Sequence, residues 1–202
     1  MIKIKFHCNY CSDFEIYNKV LSMTKNNLGI WGKLKVVLNE DYDIFVIMNH
    51  PIHDNYNPKN TIVFESETKT TREKFSKFYI NDKSEYLYFY DTKTNHNVDL
   101  WYHGLNYDEL FDYNLYLKTN QLSIINSNLN NLPGHILRNN FIENLTNKIE
   151  FDLYGRFYQN NKNYKGMLNK KCDGLISYMY NFNCENDFES NYFTEKILDG
   201  IF

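Results

Sequence analysis

The 202-residue sequence has no alanine, only three prolines and eight glycines, and four cysteines at positions 8, 11, 172 and 184. Four cysteines in a chain of this length, one close pair and two others twelve residues apart, do not make the disulfide framework of a small secreted domain, and reduced thiols are expected. No run of about 18 apolar residues occurs, which excludes a transmembrane helix. The opening Met-Ile-Lys-Ile-Lys-Phe-His-Cys lacks the apolar stretch of a secretion signal, so a cytoplasmic location is the expectation. Excess positive charge is missing too. The 22 basic and 25 acidic side chains give a net charge of −3 and leave no basic stripe for nucleic acid, which is therefore not an expected partner.

What is present is a chain of 43% hydrophobic content, enough for a sizeable core as one domain or as two small ones. It carries 31 asparagines, 18 tyrosines and 15 phenylalanines. Asn, Lys, Ile, Tyr and Phe share A/T-rich codons, so the asparagines reflect nucleotide bias and carry little chemical weight.

Apolar and basic residues alternate over residues 2–6 as in a half-exposed strand, and Phe14, Tyr17 and Leu21 then recur at helical spacing behind a Ser-Asp cap. Residues 34–38 and 44–48 are short apolar runs, the second continuous enough for a strand buried on both faces. Residues 49–58 are turn-rich, and a strand over 61–64 delivers Glu65-Ser-Glu67 at its carboxyl end. A helix is expected at 72–78, an aromatic run at 86–90 and a short helix at 107–111. From residue 121 a second series begins: a strand to 126, a loop, and a helix over 134–147 with Ile136, Leu137, Phe141 and Leu145 on one stripe. A strand over 150–153 then ends in Tyr154-Gly-Arg156. Interleaved strands and helices predict an α/β protein of two halves, residues 1–115 and 116–202.

Cys8-Asn-Tyr-Cys11 stands between a strand and a helix, where a thioredoxin-like thiol oxidoreductase would carry its Cys-x-x-Cys, although no matching proline precedes a later strand. Two incidental thiols are the better reading. Cys172 and Cys184 lie too far apart, with no histidine nearby, to complete a zinc site. Asp41-Tyr-Asp43 precedes its apolar strand, which puts the carboxylates at the wrong end of a sheet for nucleotide chemistry and reads as a solvated loop. His50 and His53 read as loop residues. Glu65 and Glu67 are a different matter. A carboxylate at a strand's carboxyl end can accept the proton of an attacking hydroxyl, and two glutamates in three residues point the same way, so geometry does not choose between them.

The last quarter holds the most specific pattern. An apolar-aromatic strand runs into Cys184-Glu-Asn186, and after a short spacer comes Tyr192-Phe-Thr-Glu195-Lys196, opening an amphipathic helix expected over 192–202. This pattern closely resembles the donor-site signature of the α-1,3-fucosyltransferase family. Thr61-Ile-Val-Phe-Glu-Ser-Glu67 resembles the family's base-bearing segment, and Asn97-Val-Asp-Leu-Trp101 resembles one preceding its second domain. Pro133-Gly-His135, Arg138-Asn-Asn-Phe141 and Phe151-Asp-Leu-Tyr-Gly-Arg156 follow in the family's order.

The resemblance implies a glycosyltransferase B-type fold of two Rossmann-like halves, the second incomplete, and an inverting transfer of fucose from GDP-fucose to a glycan hydroxyl. It implies Glu67 as base with Glu65 beside it, Arg138, Asn186, Tyr192, Glu195 and Lys196 as donor ligands, and no required metal or cofactor. Asp187 departs from the family's small neutral residue and adds negative charge beside the expected diphosphate. Only about 85 residues follow the boundary, short of a full nucleotide-binding domain. The expectation is thus a truncated relative: an inactive binding or interaction module that holds GDP weakly or not at all, a chain completed by a separately encoded C-terminal portion, or a reorganised minimal enzyme.

Overall fold

A computed structural model describes residues 1–75, 82–91, 104–112 and 117–200. The described residues fall into two compact units, the first drawn from 1–98, 106–113 and 190–192, the second from 99–105, 114–189 and 193–202. The expected boundary at 115/116 and the segment Asn97–Trp101 lie outside the described residues.

In the first unit β1 (Ile2–Cys8) leads into α1 (Asp13–Ser22). Ser12 caps that helix: its Oγ accepts the Glu15 N–H, and Glu15 in return accepts the Ser12 N–H, a closed capping box. Next come β2 (Ile30–Trp31), β3 (Leu34–Val36), β4 (Ile44–Met48), β5 (Thr61–Glu65), α2 (Lys69–Phe75), β6 (Tyr88–Asp91) and α3 (Tyr107–Phe111). Six strands form one sheet in the order β2-β3-β1-β4-β5-β6, parallel except for the β2–β3 pair. Four consecutive residues of β4, from Phe45 to Met48, are buried, because an interior parallel strand is covered on both faces. Phe45, Ile47 and Val63 form the core on one face, packed by Tyr42, Tyr56, Tyr86 and Phe89.

The second unit holds β7 (Asn120–Ile125), α4 (Pro133–Thr146), β8 (Asp152–Tyr154), β9 (Tyr164–Gly166), β10 (Tyr178–Phe182) and α5 (Lys196–Asp199). Its sheet has the order β10-β7-β8-β9 and is wholly parallel. Ile124, Ile142, Phe151, Leu153 and Tyr158 make its core. In each sheet the strand order reverses beside the unit's first strand, between β1 and β4 and between β7 and β10, as in Rossmann-like folds. The crevice outside the carboxyl ends of such a pair is where open α/β sheets bind ligands.

Three readings of the sequence need correction. The stripe expected to bury α4 faces outward, with Ile136, Leu137 and Phe141 40–54% exposed, while Gly134, His135, Arg138, Asn139 and Ile142 are buried. The helix turns a polar face inward because its first turns serve the crevice, and Phe141 finds its partner by stacking on Phe182, 4.3 Å between ring centres. The helix expected over the final segment is the four-residue α5 within the described residues. The strands β2 and β9 had no counterpart in the sequence reading. Among the described residues, no helix is long and apolar enough to cross a membrane.

Candidate functional site

A cleft of about 470 Å³ lies at the β7/β10 switch point of the second unit. Its walls come from five places in the chain: Ile125 to Leu129 at the end of β7, the first turns of α4, Gly155 to Phe157 after β8, Lys171 ahead of β10, and the segment after β10.

Two glycines let these walls meet. Gly155 has φ +127, and a Cβ there would sit 1.7 Å from the Asn126 carbonyl oxygen. At the start of α4, a Cβ on Gly134 would lie 2.1 Å from the Glu185 carbonyl oxygen, and the Gly134 N–H donates to the Asn186 carbonyl at 3.0 Å. The backbone after β10 is thereby docked on the amino end of α4, a helix whose cap residue, Leu132, has no side-chain acceptor.

A buried polar network sets the loop after β7. Asn126 Nδ2 donates to Asn139 Oδ1 at 3.0 Å, the Tyr158 hydroxyl donates to the same oxygen at 2.7 Å, and Asn139 Nδ2 donates to the Leu129 carbonyl at 2.9 Å. Arg138, one helical position before Asn139, is 5% exposed. Its Nη1 donates to the Cys184 carbonyl at 2.9 Å and to Asn186 Oδ1 at 3.1 Å. His135, a turn earlier, is buried, and burial together with the Arg138 charge holds its imidazole below the usual histidine range.

The Glu-Asn…Thr-Glu-Lys segment closes on itself. Glu185 accepts the Thr194 N–H and the Thr194 hydroxyl, each at 2.8 Å, and Lys196 Nζ donates to Thr194 Oγ1 at 2.9 Å. This clasp delivers Glu195 and Lys196 to the cleft. Lys171 Nζ reaches Glu195 Oε1 at 3.2 Å and also pairs with the buried Asp199. Burial works to raise the Glu195 carboxyl, but Lys196 and Lys171 outweigh it and hold the group below the usual range. Burial pushes Asp199 up, against the pull of Lys171.

Four of the five donor residues expected from sequence therefore line one cleft: Arg138, Asn186, Glu195 and Lys196. Tyr192 does not line it and groups with the first unit. Asp187 also lies outside the lining, buried, with its carboxylate accepting the Phe188 N–H at 2.9 Å. Sequence reasoning missed Lys171 and did not assign Arg156 a role. With them, the cleft has four cations and one carboxylate among the described residues. Nothing local marks Lys171; only the topology brings it to the β7/β10 ends. A smaller recess of about 250 Å³, walled in part by Met167 and Leu168, shares Lys171 and Arg156 with the cleft.

The remaining nominated residues belong to the first unit. Glu65 ends β5 and is held by Arg72 at 3.1 Å and Lys83 at 3.8 Å. Glu67 stands just before α2, its carbonyl accepting from Arg72 Nη1 at 2.7 Å, and its side chain is half-buried. Asp41 and Asp43 lie at the amino end of β4, engaged by the Lys3 ammonium and backbone N–H respectively. Ser66, Asn49, Asn9 and His50 form a chain of side-chain hydrogen bonds of 2.7, 3.3 and 2.8 Å at the β1/β4 switch point. His53 packs its ring on His7. Among the described residues, no three potential metal ligands of the His, Cys, Asp or Glu type come together.

Comparison of the chain with protein-family models, with curated proteins and with solved structures found no match.

Proposed function

We propose that the cleft is the donor site of an inverting transferase of the α-1,3-fucosyltransferase type, in which the two units are the halves of a glycosyltransferase B-type architecture. The donor is a GDP-sugar, GDP-fucose by resemblance, and the acceptor a glycan hydroxyl. The observation that carries this reading is the convergence of Arg138, Asn186, Glu195 and Lys196 on one switch-point cleft, joined by Lys171 and Arg156. A diphosphate needs charge-assisted donors, and a guanidinium and an ammonium beside a helix N-terminus supply them. Glu195, kept ionised by two lysines, can accept hydrogen bonds from ribose or sugar hydroxyls.

In the proposed reaction the acceptor oxygen attacks C1 of the sugar as its proton passes to a carboxylate base, and the bond from C1 to the diphosphate oxygen breaks. Arg138 and Lys196 meet the charge that develops on the departing GDP, a role that does not require a metal. By the resemblance Glu67 is the base, with Glu65, whose carboxylate is engaged by Arg72 and Lys83, as the alternative.

The experiment is release of GDP from GDP-fucose by the wild-type chain and by Glu67→Gln. Loss of a general base lowers turnover on the order of 100-fold or more, while GDP binding stays as in wild type. Unchanged turnover in the variant would remove Glu67 from the reaction. GDP binding with no turnover in either protein would leave a binding module rather than an enzyme.

A further inference from the structure

The proposed donor cleft makes no use of Cys8 and Cys11, yet the fold fixes them together. Cys8 closes β1 and is fully buried; Cys11 is partly exposed and directly precedes Ser12, the cap of α1. Their sulfurs are 3.2 Å apart as free thiols, and Cys8 Sγ also donates to the Cys11 carbonyl at 3.4 Å. Neither end is loose. The capping box holds the start of α1, and Asn9, between the two cysteines, donates to His50 Nε2 at 2.8 Å and accepts from Asn49 at 3.3 Å. One thiol is thus reachable from solvent and the other sits behind it, already in contact.

We propose that Cys8 and Cys11 form a peroxide-responsive modification site, in which Cys11 meets the oxidant and Cys8 resolves the product to an intramolecular disulfide. In the first step the Cys11 thiolate attacks one oxygen of a hydroperoxide and the O–O bond breaks. The leaving oxygen takes a proton, departing as water or an alcohol, and Cys11 becomes a sulfenic acid. In the second step Cys8 sulfur attacks Cys11 sulfur, the S–O bond breaks, and hydroxide leaves with the Cys8 proton as water. With hydrogen peroxide, two thiols lose two hydrogens and one peroxide becomes two waters. Cys8 needs no access to solvent, because its partner sulfur lies beside it.

The charged groups around Cys11 set the rate. Burial and the hydrogen bond to Cys8 push the Cys11 thiol up to about 12, Glu15 of α1 adds to that, and Lys19 of α1, its Nζ 4.0 Å from the sulfur, opposes it. The thiolate is then scarce at neutral pH, and the first step quickens about tenfold for each pH unit between roughly 7 and 9. An ordinary exposed cysteine levels off near its own value of about 8.5 within that span.

The test treats the full chain with hydrogen peroxide across this pH range, blocks remaining thiols, and measures the mass of the peptide holding residues 8 and 11. The expected product is that peptide lighter by two hydrogens and restored by a thiol reductant, formed with the stated pH slope. Cys8→Ser should stop at a sulfenic acid on Cys11 that a dimedone probe captures, and Cys11→Ser should leave Cys8 unoxidised. A wild-type peptide that keeps both thiols at the alkaline end, or probe capture at Cys8, would overturn the proposal.

Discussion

Gly155→Ala is expected to unfold the second unit. The backbone at 155 has φ +127, a region open to glycine, and the added Cβ would lie 1.7 Å from the Asn126 carbonyl oxygen. Neither side can yield. The Gly155 N–H donates to the Gly166 carbonyl at 3.0 Å, its carbonyl accepts the Tyr164 hydroxyl at 3.0 Å, and the Asn126 N–H is bound to the Tyr154 carbonyl at 2.9 Å. Left-handed strain alone costs about 1–3 kcal/mol, and displacing packed backbone brings the total above about 4 kcal/mol, comparable to the stability of a small unit. Amide hydrogen exchange reads this out directly: protection over β7, β8 and β10 should vanish while β1, β4 and β5 stay protected. A variant with wild-type protection in β7 would mean that these two segments do not meet as described.

Arg138→Ala is the second large effect. The guanidinium is buried and donates to the Cys184 carbonyl and to Asn186 Oδ1. Truncation leaves both acceptors without it, each at about 1–3 kcal/mol, so a loss of about 2–6 kcal/mol in urea denaturation is expected. Arg138→Lys should recover only part of it, because both acceptors lie around Nη1 at the far end of the guanidinium, which the shorter lysine side chain does not reach in the same geometry. Its GDP affinity should fall at least about tenfold, the equivalent of losing one charge-assisted contact of about 1.4 kcal/mol. If Arg138→Ala were as stable as wild type, the guanidinium would not be tying α4 to the strand end.

How much of this could be read from the chain differs from element to element. Strand β4 was legible because an uninterrupted apolar run of five residues, too short to cross a membrane, has few homes other than a strand covered on both faces. The α1 boundary was legible because Ser12 and its cap geometry are local chemistry. Strands β2 and β9, two and three residues long, carry no period to detect. The face of α4 was misread because apolar periodicity assumes that a helix buries its greasiest side, whereas this one buries His135, Arg138 and Asn139 to build a site. A helix is expected from Tyr192 to the end of the chain. The Glu185–Thr194 clasp instead keeps the backbone irregular until Lys196. Arg138, Asn186, Glu195 and Lys196 were nominated only through resemblance, since no local pattern marks them as neighbours in one cleft. Lys171 has no motif around it and is found only when β7 and β10 lie side by side.

The measurement closest to the central claim is an amide-resolved NMR titration of the intact chain with GDP. Saturable shifts are expected at Asn126, Gly155, Asn186 and Glu195, with a dissociation constant on the order of 0.1–1 mM, about −4 to −5.5 kcal/mol, and Lys196→Ala should weaken them. Absence of any saturable shift at these residues, or shifts confined to the first unit, would contradict the assignment of the β7/β10 cleft as a nucleotide-sugar site.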